Sequence, residues 1–392
     1  MELTVRHRST VLAALALASV GCAADSALET GPEVRAQFVD GIILLEARVA
    51  GTTGWWILDS GYEYSLVDEA VADEAGLTLS APETVAQPGG AVTQRWTQPG
   101  AVEFAKGTFR ADSMAVLDFS GLAPIVGLPI AGLLGHDFFT RYVITIDYAA
   151  REVTLAEPEG WRAPAGLAEL AVWIENAEPF ALGTLWVNDR TVPAKFKLDT
   201  GSLSELGLNG SFVAQNLLIP EGWPRLAVSG VAVGGATRNF VARIDSMRFG
   251  PVVIPGPVAG WSEDLTRVGD AGTVGAPVLA RFRVTFDYTR HRLLLKPTAD
   301  AARRTVWNGS GMLVAQLPGG PVVVAQIVPG TPAAEAGIAA GDLLVLVGDR
   351  PAESIGLDAL RAHFRRPGQR DTLVIERDGA RHTVALVQRE LP

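Results

Sequence analysis

Two stretches decide how this chain folds: GLLGHDFFTRYVITIDYAAREVTL at residues 132–155 and GTVGAPVLARFRVTFDYTRHRLLL at residues 272–295. They align without a gap, and seven pairs are identical, each 140 positions apart: Gly132/Gly272, Gly135/Gly275, Arg141/Arg281, Thr145/Thr285, Asp147/Asp287, Tyr148/Tyr288 and Leu155/Leu295. The same offset lays Trp56-Ile57-Leu58-Asp59-Ser60-Gly61 onto Phe196-Lys197-Leu198-Asp199-Thr200-Gly201. Self-similarity at a fixed period marks a repeated structural unit. The middle of the chain is therefore two equivalent lobes.

Within each lobe the pattern is β. Leu45 to Val49 alternates, a turn is expected over residues 51–54, and the chain returns through Trp55 to Leu58 into the acidic turn. Leu185 to Val187, the Asn188-Asp189 turn and Ala194 to Leu198 repeat that hairpin. Residues 143–146 and 284–286 are β-branched strands that each end in Asp-Tyr. A Pro- and Gly-bearing connector at 156–166 separates the lobes, and an Ala/Arg-rich one at 297–308 leads into a different module.

A single Asp-[Ser/Thr]-Gly is an ordinary turn, with Asp capping its own backbone. Two copies carry more. Each follows an apolar strand, and each lies 76 positions before the closing glycine of an apolar-apolar-Gly segment, Gly135 or Gly275. A pseudo-two-fold axis between the lobes would bring Asp59 and Asp199 face to face. Two adjacent carboxyls cannot both ionise easily, so they share a proton. The ionised member can take a proton from a water between them while the other donates to a substrate carbonyl oxygen, which is peptide hydrolysis by general acid–base catalysis without a metal. Gly61 and Gly201 let the backbone pass close to the carboxylates, and the Ser60 and Thr200 hydroxyls can reach across the axis to fix the pair.

On these residues the chain resembles aspartic proteases of the pepsin and retropepsin type, and most closely two-lobed bacterial retropepsin-like proteins with a C-terminal PDZ domain. The resemblance covers about residues 37–296 and implies Asp59 and Asp199 as the catalytic dyad, no cofactor, and a peptide or unfolded protein as substrate. It departs at Ser60, where Thr is commoner, at Tyr62-Glu63, where a small residue is usual, and at Thr273, where an aliphatic residue is usual. Such enzymes close a hairpin flap over the substrate, and the candidate is residues 85–97 with Gly89 and Gly90 at its turn. Residues 226–240, around Gly234-Gly235, are the counterpart in the second lobe.

The run VPGTPAAEAGIAAGDLLVLVGD at 328–349 resembles a bacterial PDZ domain. A short Ala-rich helix stops at Gly337, a strand follows Gly341-Asp342, residues 357–364 form the groove-lining helix, and a hairpin closes around Asp378-Gly379. In such domains a peptide C-terminus adds as a strand beside a loop whose N–H groups hold its carboxylate. The candidate loop is Gly311, Met312 and Leu313, and a domain that instead packs on the protease and gates it is the other expectation. A trypsin-like serine protease with PDZ does not fit, because no GxSxG context is present and the repeat fills the region ahead of the PDZ module.

Composition bounds the rest. With 392 residues, 48% apolar and 19% charged, the chain is globular, and a net charge of −10 supplies no broad basic field for nucleic acid. One cysteine and five scattered histidines provide neither a disulfide framework nor a zinc cluster. Arg6 and Arg8 precede an apolar run from Thr10 to Val20, which is the pattern of an export signal. Ser19-Val20-Gly21-Cys22 resembles a bacterial lipobox, making Cys22 the lipidation candidate, although leucine is usual where Ser19 stands. The expected layout is a signal over 1–24, protease lobes over 37–158 and 168–298, and PDZ over 305–390, mainly β throughout. The expected protein is an exported, monomeric aspartic endopeptidase of the bacterial envelope, tethered to the membrane if Cys22 is acylated. A non-catalytic peptide-binding scaffold acting through its PDZ domain is the alternative, and retention of both carboxyls and both hydroxyls favours the enzyme.

Overall fold

The computed structural model describes residues 34–87, 90–104, 107–232, 235–262 and 267–391. The fold is mostly β. Each lobe is built on a ten-stranded sheet, and the two sheets have the same strand order. In the first lobe Ile42–Val49 pairs antiparallel with Thr52–Leu58, which pairs in parallel with Ile130–Leu134. In the second, Glu178–Val187 pairs with Arg190–Asp199, which runs parallel to Gly272–Gly275. Each acidic turn thus leaves the end of a central strand flanked on both sides.

The turns follow local chemistry, with one difference from the sequence reading. Asn188 and Asp189 both take positive φ, 49° and 59°, the conformation a two-residue hairpin demands. In the first lobe the turn is Ala50-Gly51, at φ 45° and 97°, and the strand restarts at Thr52 rather than after residue 54. Gly54 is a strand residue whose missing side chain matters for packing, since a Cβ there would stand 2.4 Å from the Cβ of Ala131.

A third sheet joins the lobes. Val143–Asp147 and Phe282–Asp287 pair antiparallel across the pseudo-two-fold, with Thr145 directly opposite Thr285 and their hydroxyls 2.9 Å apart. Phe138, Phe139, Phe286 and Tyr288 pack around that junction, so one core runs through both lobes. The C-terminal module is a six-stranded sheet with the Leu357–His363 helix.

That module is docked on the first lobe rather than swinging free. Its apolar residues Met312, Val314, Leu357, Leu360 and Phe364 share a core with Phe119, Val126, Ile130 and Leu133. At the rim, Arg365 reaches both carboxylate oxygens of Asp40 at 2.6 and 2.8 Å. Asp358 accepts the Asp40 backbone N–H at 2.7 Å and pairs with Arg151 at 3.1 Å. Asp40 is the tip of a hairpin, at φ 52°, so one turn of the first lobe holds the C-terminal module by both its side chain and its backbone.

The repeated arginines have diverged. Arg141 pairs with Glu157 at the surface, whereas Arg281 is buried against Glu205 at 2.9 Å and donates to the carbonyls of Ala301 and Arg303 at 2.9 and 2.6 Å. It ties the second lobe to the connector before the C-terminal module. Replacing one partner of a buried pair strands the other charge, at a cost of about 3–5 kcal/mol. Arg281→Met should lower the midpoint of urea unfolding accordingly, while Arg141→Met should leave it nearly unchanged.

Candidate active site

The two Asp-hydroxyl-Gly turns meet on the pseudo-two-fold axis and are locked by four reciprocal bonds. The Ser60 N–H donates to Thr200 Oγ1 at 3.0 Å, and the Thr200 N–H donates to Ser60 Oγ at 3.1 Å. In turn Ser60 Oγ donates to the Leu198 carbonyl at 2.9 Å and Thr200 Oγ1 to the Leu58 carbonyl at 2.6 Å. Both hydroxyl residues are fully buried, so each of these groups has its partner within the protein. Serine at position 60 keeps the hydroxyl's full set of bonds.

The carboxyls stand in matching frames. Gly61 N–H donates to Asp59 Oδ1 at 2.8 Å, and Gly201 N–H to Asp199 Oδ1 at 3.0 Å. Each glycine also presses on the opposite carboxyl. A Cβ on Gly61 would lie 2.4 Å from Asp199 Cγ, and one on Gly201 would lie 2.4 Å from Asp59 Oδ2. No side chain fits at either position without pushing the pair apart.

The apolar-apolar-Gly segments support these turns from the side. The Asp59 N–H donates to the Leu134 carbonyl at 3.0 Å, and Asp199 lies beside Gly275 in the parallel register. The loop after each aspartate crosses the glycine so closely that a Cβ on Gly135 would sit 2.4 Å from the Tyr64 carbonyl oxygen, and one on Gly275 would sit 2.1 Å from that of Ser204. Matching bonds follow, from His136 N–H to the Tyr62 carbonyl and from Ala276 N–H to the Ser202 carbonyl, both at 2.9 Å.

The two carboxyls sit part-buried at the meeting of the lobes. Burial first, and then the neighbouring Asp199 charge, push the Asp59 carboxyl well above the usual carboxylate range, against the opposing pull of Lys197 and the Gly61 N–H. Lys197, to which the sequence reading assigned no role, reaches the Gly61 carbonyl at 3.1 Å, Glu178 at 3.2 Å and Asp199 Oδ2 at 3.9 Å. The signal for it was present as a break in the repeat, because the 140-residue offset sets Lys197 against Ile57.

The hairpin of Glu83–Gln87 and Gly90–Trp96 stands where the flap was expected, although Gly89 lies outside the described residues and Gly90 is exposed at its outer end. The bulky residues after Gly61 build its footing: Tyr62 meets Tyr64 edge-on with ring centroids 5.5 Å apart, and Tyr64 packs on Trp96 at 4.8 Å. Arg225–Ala232 and Gly235–Arg243 form the second-lobe hairpin, with Gly234 outside the described residues. Cys22 is outside them too. Among the described residues no helix is long and apolar enough to cross a membrane, and no group of three His, Cys, Asp or Glu side chains could hold a metal ion.

The loop of Gly311, Met312 and Leu313 belongs to the C-terminal module, and three N–H groups at its start are engaged. The N–H groups of Ser310 and Gly311 both donate to Asn308 Oδ1 at 2.9 Å, and that of Met312 donates to Ser310 Oγ at 3.0 Å. The neighbouring groove between Met312–Gln316 and the Leu357–His363 helix contains part of the first lobe, the short Ala123–Val126 helix and Gly127. Gly127 faces Leu357 on one wall and Gln316 on the other. Arg361 spans the same gap, donating to the carbonyls of Ile125 at 2.8 Å and Val314 at 3.0 Å.

Comparison with known proteins agrees with this division. Residues 45–138 match the family model described as aspartyl protease, and residues 323–377 match a PDZ domain model. Over 125 residues the chain is 30% identical to a protein of Ralstonia nicotianae named as a zinc metalloprotease, a match covering 32% of this chain and 27% of that protein. The chain thus spans about a quarter of that relative's length. The protease model ends within the first lobe, and the second is tied to it by the repeat and the shared strand order.

The Asp59 shift has a measurable sign. A carboxyl that holds its proton more tightly folded than unfolded contributes stability that is complete below the unfolded value near ~3.9 and drains away as pH rises through the raised one. Asp59→Asn, permanently neutral, should therefore unfold at higher urea than wild type at pH 7, with the difference closing towards pH 3.

Proposed function

We propose that this protein is an aspartic endopeptidase in which Asp59 and Asp199 share one proton and activate a water held between them. The ionised carboxyl takes a proton from that water as its oxygen attacks the scissile carbonyl carbon. The protonated carboxyl gives its proton to the carbonyl oxygen, and collapse of the tetrahedral diol transfers a proton to the departing amine. The observation that carries this reading is the reciprocal Ser60/Thr200 grip, which sets two part-buried carboxyls in equivalent frames with two backbone N–H donors. Pre-organisation of that kind is what general acid–base catalysis requires. An extended peptide or unfolded segment is the substrate class, lying across the axis beneath the 83–96 hairpin. The proposed setting is the bacterial envelope, with the chain exported and held at a membrane through acylated Cys22.

The PDZ domain is proposed to act on the protease from within the chain. The Ser310, Gly311 and Met312 N–H groups at its candidate carboxylate loop are taken by Asn308 and Ser310, and its groove contains residues 123–127 of the first lobe. A free C-terminus has to displace that segment to enter, which supports gating over open recruitment.

Two measurements test these readings. Asp59→Asn and Asp199→Asn should each lower kcat/KM on a denatured protein substrate by about 10³-fold or more, with wild-type cleavage blocked by a statine-type inhibitor and insensitive to chelator. Full activity in either variant removes the dyad. For the PDZ domain, a fluorescein-labelled decapeptide with an apolar C-terminal residue should not bind the wild type by anisotropy. It should bind the Asp40→Ala/Arg361→Ala protein, where the clamp is loosened. Tight binding to the wild type would make the groove an open receptor.

A further inference from the structure

The bonds that frame the two carboxyls match between the lobes, but the strands that lead into them do not. Two residues before each aspartate the first lobe has Ile57 and the second has Lys197, and beside them in the parallel register stand Leu133 and Thr273. An apolar pair in one lobe is a polar pair in the other. The unusual Thr273 of the GTVG segment is thus part of the same substitution as the lysine.

Building on the dyad reading above, we propose that Lys197 is a positioning residue that breaks the symmetry of the carboxyl pair, holding Asp199 as the ionised member so that Asp59 carries the shared proton and serves as the acid towards the carbonyl oxygen. The Lys197 side chain is mostly buried, and its ammonium is fixed from three sides, 3.1 Å from the Gly61 carbonyl, 3.2 Å from Glu178 Oε1 and 3.9 Å from Asp199 Oδ2. It is therefore a located charge rather than a surface one. Glu178 is gripped in turn by both terminal nitrogens of Arg267, and Arg267 Nε pairs with Asp270 at 2.9 Å. Asp270, Arg267, Glu178, Lys197 and Asp199 form a row of alternating charge that ends in the dyad. Tyr288, itself buried, also feels the charges of both carboxyls. Burial pulls the Lys197 ammonium towards neutrality, but Asp199, Glu178 and Asp59 outweigh it and hold it above the ordinary lysine value.

An opposite charge within ~4–6 Å stabilises the ionised form of a carboxyl by about 1–3 pH units. Removing it must raise both proton-release steps of the pair, because the singly and doubly ionised states each lose the cation. The test uses the full mature chain with aspartate carboxyl carbons labelled with 13C, titrated by NMR in wild type, Lys197→Gln and Lys197→Arg. Gln keeps a donor for the Gly61 carbonyl without the charge, and Lys197→Ile, which copies the first lobe, replaces it should Gln not fold. In the neutral variant both steps should move up by about one unit or more, and both limbs of the pH profile of kcat/KM should move with them; Arg should restore wild-type behaviour. Unshifted steps in a folded neutral variant, or equal behaviour of Arg and Gln, overturn the assignment even if activity falls. The titration needs no substrate. A chain that shows the shift yet cleaves nothing keeps the Lys197 assignment and loses the peptidase reading instead.

Discussion

The Ser60/Thr200 grip is the constraint to which the rest of the molecule is fitted. Four bonds at 2.6–3.1 Å join turns 140 residues apart, and all four are buried, so neither turn can shift alone without leaving a polar group unpaired. Meeting that tolerance requires two lobes of equal build, which the identical strand orders supply, and a rigid joint between them. The joint is the Thr145/Thr285 pairing and the aromatic residues packed around it. The glycines flanking the aspartates then do the remaining work by leaving room for carboxyls that a single methyl group would displace.

On this symmetric frame the two lobes spend equivalent positions differently. The first lobe's position 57 stays apolar, and its outer face is covered by the PDZ domain, whose core is continuous with it. The second lobe's position 197 becomes a lysine connected through Glu178 to Arg267. Arg141 and Arg281 diverge in the same sense, one an exposed ion pair and one a buried anchor. The lobes share a frame and differ in the side chains laid over it.

Much of this was legible in the sequence, for a physical reason. The lobes, the acidic turns, the hairpin at 83–96 and the PDZ module all rest on local patterns, and the repeat doubles each signal. What escaped depends on contacts between distant residues. Gly54 looks like a turn glycine until Ala131 is found against it. Lys197 looks like the outward residue of an alternating strand, and only the fold brings Gly61, Glu178 and Asp199 around it. The filled PDZ groove was out of reach for the same reason, since Arg361 and Ile125 meet across 236 residues.

The segment between Leu117 and Ile130 links three parts of the molecule mechanically. At one end Ala115–Leu117 pairs with Gly90–Trp96, the strand that carries the hairpin beside the cleft. At the other, Ile130–Leu134 delivers the Leu134 carbonyl to the Asp59 backbone. Between them the chain is held in the PDZ groove. Covalently it leads two ways, to the 83–96 hairpin and to the strand beside Asp59. The groove therefore holds a stretch of chain that is covalently continuous with both.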